Sequence, residues 1–109
     1  MKLSGKHYVF DLDGTLCHTP LVGGVNRYDL STPLKDRIDH VNKLYDEDNE
    51  ITIWTARGSS TGIDWYAHTF KQLVSWDLKF HRLILGKPQW DLYVCDKSIN
   101  SEDYFNALS

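Results

Sequence analysis

"VFDLDGTLC", residues 9–17, brings an apolar run and a pair of acids together. The stretch His7–Phe10 is rich in aromatic and β-branched side chains, and Asp13-Gly14 is a turn signal. It predicts a buried strand that ends at Asp11. Asp11 and Asp13 stand at i and i+2, which face the same way while the chain stays extended. Like charges held close repel and raise one another's pKa. The question is what compensates such a pair at the mouth of a hydrophobic strand.

Working outward, residues 15–30 hold Pro20, Gly23, Gly24 and Asn26 and predict a loop or small flap. In "STPLKDRIDHVNKLYDEDN", Thr32 is a candidate N-cap with Pro33 at the first helical position. Leu34, Ile38, Val41, Leu44 and Tyr45 follow at helical spacing. "EITIWT" (50–55) predicts a second strand and "ARGSSTG" a loop. A second helix is expected to run to about Trp76, lined by Ile63, Tyr66, Ala67, Phe70, Leu73 and Val74. "RLIL" (82–85) and "DLYVC" (91–95) predict a third and a fourth strand. The tail from Ser98 to Leu108 predicts a last helix, with Ile99, Tyr104 and Leu108 as its apolar face. Strands alternating with helices predict an α/β fold with a small parallel sheet and right-handed crossovers.

With 109 residues, the chain fits one domain over 1–109, with no room for a separate substrate-binding domain. Its net charge of −3 gives no broad basic footprint, which disfavours nucleic-acid binding. Cys17 and Cys95 are too sparse for a disulfide framework and are expected to be free thiols in a reducing, cytoplasmic setting. The start, "MKLSGKHYVF", lacks the apolar stretch of a signal peptide, and nothing approaches the ~20 apolar residues of a membrane span. His7, His40, His68 and His81 show no metal-site spacing, and His18 is expected to be an incidental surface residue. Trp54, Trp65, Trp76 and Trp90 are expected in the core or an interface.

In open parallel α/β sheets, ligands bind beyond the carboxyl ends of the strands. The predicted strands end at or just before Asp11, Thr55, Lys87 and Asp96. Asp91 begins the fourth strand, and five residues at ~3.3 Å each put it roughly 16 Å from that edge. Asp96 is therefore favoured. Asp11, Asp13 and Asp96 would concentrate negative charge, which invites a hard divalent cation, most simply Mg²⁺. The Lys87 ammonium and Thr55 hydroxyl beside such a cation would suit the equatorial oxygens of a phosphoryl group. A carboxylate can serve as nucleophile and a second as general acid and base. Gly14, Ala56 and Arg57 flank these strand ends and are expected to touch substrate, although Arg57 is equally readable as the partner of a surface acid.

Four motifs in order carry a resemblance. "DLDGT", "TIWTAR", "GKP" and "YVCD" resemble the motifs of haloacid dehalogenase-like (HAD) phosphatases, across about residues 7–103. The resemblance implies a Rossmann-like three-layer fold without a cap domain. It implies Asp11 as nucleophile and metal ligand, and Asp13 as acid/base and metal ligand through its backbone carbonyl. Thr55 and Lys87 would bind the phosphoryl group, and Asp96 would bind Mg²⁺. "WTARGSSTGIDW" further resembles small capless phosphatases found beside sugar and capsule biosynthesis. The implied activity is Mg²⁺-dependent hydrolysis of a small phosphomonoester through an aspartyl-phosphate. Sugar phosphates, nucleotides and a phosphorylated polymer end are all open as substrates.

Two positions depart from the family pattern. Cys95 and Asn100 stand where a further acid is usual, so an acid restored at 95 is expected to tighten Mg²⁺ binding. The family's fifth core strand is also expected to be missing. A catalytically weakened binding or assembly module is one alternative. A Mg²⁺-dependent nuclease is another, but it would want a further catalytic Glu and a basic groove. The flap's Leu21, Val22, Val25 and Tyr28, and the apolar edge of "DLYVC", predict a homo-oligomer.

Overall fold

The protein is described by a computed structural model covering residues 5–108. β1 (His7–Phe10) leads into three two-residue strands, β2 (Cys17–His18), β3 (Leu21–Val22) and β4 (Val25–Asn26), then a 3₁₀ turn at Tyr28–Leu30 and β5 (Thr32–Pro33). α1 (Lys35–Asp46), β6 (Glu50–Trp54), α2 (Tyr66–Ser75), β7 (Arg82–Ile84) and α3 (Ser101–Asn106) follow. The result is an α/β fold. β1, β6 and β7 form a three-stranded parallel sheet in the order β1-β6-β7.

The register explains where the core lies. Tyr8 pairs with Ile51, Phe10 with Ile53, and Ile53 with Leu83. Paired residues point to one side of a sheet, and alternation sends their chain neighbours to the other. Phe10, Ile51, Ile53 and Leu83 share one buried cluster with Ile38, Val41 and Leu44 of α1 and Leu73 of α2. The strand order advances in a single direction, so two right-handed crossovers place α1 and α2 on the same face. Tyr104 and Phe105 of α3 pack against the same cluster. On the opposite face, Val9 is 53% and Ile84 43% exposed. The described residues thus form two layers, not the expected three: a second helical layer needs the strand order to reverse, and it does not.

The fourth strand is also corrected. Residues 91–95 are irregular, and Leu92 and Val94 are 80% and 86% exposed. Their short apolar run has no ladder partner, and exposed β-propensity alone does not form a strand. α1 begins at Lys35, not at Pro33, because Thr32 and Pro33 are drawn into an antiparallel pairing with His18 and Cys17. α2 is rotated away from its expected apolar face. Leu73 and Thr69 are buried, whereas Ile63, Tyr66, Phe70 and Val74 are exposed. α3 packs through Tyr104 and Phe105, while Ile99 and Leu108 are exposed. Tyr104 meets Phe10 edge-on at 6.0 Å and hydrogen-bonds the His40 ring at 2.8 Å. Among the described residues, no helix is long and apolar enough to cross a membrane.

Candidate active site

Leu12 separates the two aspartates and points into the core with no exposed surface. Alternation therefore turns Asp11 and Asp13 outward together, and both line a cleft of about 780 Å³. The turn behind them is tight. Thr15, Leu16 and Cys17 all donate backbone hydrogen bonds to the Leu12 carbonyl, at 3.1, 2.8 and 3.3 Å. Gly14 sits at φ +82°, a left-handed conformation that glycine adopts without steric cost.

Each acid has its own cation. The Lys87 ammonium lies 2.9 Å from Asp11 Oδ1, and the Thr15 hydroxyl donates to Asp11 Oδ2 at 3.1 Å. Arg57 grips Asp13 bidentately, with Nε 3.0 Å from Oδ2 and Nη2 2.8 Å from Oδ1. The Thr19 hydroxyl donates to Asp13 Oδ1 at 2.5 Å. Two separate counter-charges are what compensates the acid pair.

The Arg57 side chain has no exposed surface. Besides Asp13 it donates to Thr69 Oγ1 at 3.2 Å and Gln72 Oε1 at 2.8 Å, both on α2. Its guanidinium lies 4.6 Å from the Tyr28 ring centroid. A buried guanidinium needs its donors satisfied, and Thr69 and Gln72 satisfy two of them. That demand accounts for the rotation of α2. Arg57 lines the cleft, but its donors are directed to protein groups, and it holds Asp13 in place.

The electrostatics follow from this packing. Burial pushes the Asp13 carboxyl upward, but hydrogen bonds and charge from Arg57, with help from Thr19 and Cys17, outweigh it and leave the group below its ordinary value. Burial, with the charge of Asp13, pushes the Cys17 thiol up to about 12.

Thr55 stands just past β6 and is buried. It continues the ladder by donating its N–H to the Ile84 carbonyl at 3.0 Å, and its own carbonyl accepts from the Lys87 N–H at 3.3 Å. Lys87 is thereby fixed beside Thr55 by backbone alone. The loop after Arg57 is closed equally tightly: a side chain on Gly58 would place Cβ 2.3 Å from the Ile63 carbonyl oxygen.

Of the expected site residues, Asp11, Asp13, Gly14, Thr55, Ala56, Arg57 and Lys87 all line the cleft. Asp96 is not among the lining residues and is exposed, whereas Asp91 lines the cleft. The strand-end placement that favours Asp96 depends on a fourth strand that does not form. Asn100 accepts the Glu102 N–H at 2.9 Å and caps α3. Among the described residues, no group of three or more His, Cys, Asp or Glu side chains is arranged to hold a metal ion. Asp91, weighed from the sequence and set behind Asp96, lines the cleft, and Thr15, Thr19, Tyr28, Thr69, Gln72 and Trp90 also shape the site, although the sequence did not single them out for it. Only Thr15, inside "DLDGT", carried a local signal.

No protein-family model matches the chain, and no curated protein does. Among solved structures, the chain is similar to the crystal structure of a structural-genomics target from Vibrio cholerae. The two share 23% identity over 92% of this chain and 87% of the other, with a TM-score of 0.77. That likeness extends to the fold.

Proposed function

We propose that this protein is a HAD-like phosphatase that hydrolyses a small phosphomonoester through an aspartyl-phosphate on Asp11. The HAD-type, Rossmann-like identity of the fold is part of the same proposal. The observation that carries it is the Lys87 ammonium, 2.9 Å from Asp11 in a cleft that Thr55 also lines. A carboxylate nucleophile, a cation and a hydroxyl on the lip of a parallel sheet are what in-line phosphoryl transfer requires.

In the first step, Asp11 attacks phosphorus. The ester P–O bond breaks, its electron pair stays on the departing oxygen, and Asp13 gives that oxygen a proton. An arriving phosphate dianion opposes the effect of Arg57 on Asp13 and so favours its protonated form. In the second step, water attacks the aspartyl-phosphate at phosphorus and passes a proton back to Asp13, and the Asp11 carboxylate leaves. Having given up its proton in the first step, Asp13 is in the ionised form that Arg57 favours, which suits that base role.

Mg²⁺ fits this donor set. The ion commonly takes one or two carboxylates and completes its shell with water and substrate phosphate. Asp11 and Asp91 both border the cleft and would hold it, with the Asp13 backbone carbonyl added by the family resemblance. When bound, it would neutralise charge on the phosphoryl oxygens.

The cleft volume exceeds what a phosphate group alone needs, which supports a substrate bearing a sugar- or nucleotide-sized organic group. The exposed flap residues Leu21, Val22 and Val25 and the exposed Leu92 and Val94 support a homo-oligomer, to be checked by light scattering across a concentration series. Phosphate release from a panel of phosphorylated metabolites tests the activity. Turnover by the wild type, its loss in Asp11→Asn and its loss on chelation are expected. A wild type inactive on every ester with Mg²⁺ present would contradict the proposal.

A further inference from the structure

Lys87 is held by more than its ion pair. Its ammonium lies 4.9 Å from the centroid of the Trp90 ring and 5.6 Å from that of Trp54. Both distances fall within the ~6 Å reach of a cation–π contact. The two indoles are 6.3 Å apart, and Tyr93 stacks on Trp90 at 4.9 Å with an interplanar angle of 28°. Trp54 ends β6, and Trp90 follows Lys87 on the irregular segment. The ammonium is thus bracketed by an anion and two aromatic rings.

Lysine carries its charge on a flexible four-carbon stem, and fixing that stem costs rotamer entropy. Lys87 is nonetheless largely buried, with 13% of its side chain exposed. Something must keep the head group aimed when substrate displaces part of the Asp11 contact. Trp90 is 42% exposed and lines the cleft, an unusual place for an indole with no task. With a stacked tyrosine and an ammonium over its ring, it keeps little free face for a ligand ring.

We propose that Trp90, together with Trp54, is a positioning residue that holds the Lys87 ammonium at the phosphoryl site and shields one side of it from water. This rests on the phosphate-site reading above. It adds that the affinity for phosphate depends on the electron density of the indole at position 90.

The test uses the full chain and inorganic phosphate, with binding followed by calorimetry. Trp90→Leu should weaken phosphate binding about tenfold, on the scale of a desolvated cation–π contact. Trp90→Phe should weaken it less, and tryptophans of increasing ring fluorination at position 90 should weaken it progressively at nearly constant size. In a Lys87→Gln background, Trp90→Leu should have no further effect, as a double-mutant cycle requires of a residue acting through Lys87. Unchanged affinity across the fluorinated series, or an equal loss in the Lys87→Gln background, overturns the proposal. The ring-current shift of the Lys87 ε-protons, reduced in Trp90→Leu to what Trp54 alone supplies, reads the cage without any ligand. If that shift is present but the wild type binds no phosphate, the cage stands and the phosphate-site reading fails; if it is absent, the cage itself fails.

Discussion

Arg57 and Asp13 form a bidentate ion pair, 3.0 and 2.8 Å long, in which the arginine side chain is wholly buried. The pair ties the loop after β1 to the loop after β6, and Thr69 and Gln72 extend the tie to α2. Arg57→Ala leaves Asp13 without its partner, so a loss of about 3 kcal/mol in stability is expected. Urea denaturation measures it. Arg57→Lys should also lower turnover, because an ammonium cannot reproduce the fork that orients both Asp13 oxygens.

The same pair sets a response to acid. Asp13 lies below its ordinary value, so its contribution to stability is complete above that value and is lost as pH falls through the lowered one. Below about pH 4 the wild type should therefore lose stability more steeply than Asp13→Asn, which has no proton to gain. Thermal melts from pH 6 to pH 2 check this; parallel profiles would count against the ion pair.

The Mg²⁺ proposal predicts different effects at Asp91 and Asp96. Asp91 lines the cleft and Asp96 does not, so Asp91→Asn should raise the Mg²⁺ requirement for turnover and Asp96→Asn should leave it unchanged. Asn100→Ala should cost about 1 kcal/mol of stability through the lost α3 cap, with no change in Mg²⁺ dependence. Cys95→Asp likewise should not tighten Mg²⁺ binding. Titration of activity against Mg²⁺ for these variants decides between the residues.

The thiols give a prediction that needs no substrate. Burial and Asp13 push Cys17 up to about 12, whereas a hydrogen bond with Tyr93 lowers the half-buried Cys95. Thiolate is the reactive form. At about pH 8, iodoacetamide should modify Cys95 and spare Cys17 until the chain is unfolded, as peptide mass spectrometry would show.

What was legible in the sequence divides along physical lines. β1, β6 and β7 were readable because each is a short apolar run with a chemically capable residue within three positions of its end. The strand-end rule then gathered Asp11, Asp13, Thr55 and Lys87 correctly into one cleft. The fourth strand misled because an apolar run states what a segment prefers but not whether a neighbour offers it a ladder. The expectation that Asp96 stands at the strand-end edge rested on that strand, and without it Asp91 lines the cleft and Asp96 does not. The rotation of α2 was hidden for a different reason: its polar Thr69 and Gln72 answer a guanidinium distant in sequence, and periodicity within the helix carries no trace of that demand. Thr32 and Pro33 met every local criterion for a helix start, yet a pairing with β2 takes them first.

The central claim is that Asp11 becomes phosphorylated during turnover. Quenching the protein with borohydride while it hydrolyses a phosphomonoester reduces an aspartyl-phosphate to homoserine, which peptide mass spectrometry can locate. Conversion at position 11, absent without substrate, is the predicted result. Phosphate release that continues with residue 11 remaining unmodified aspartate would contradict the account.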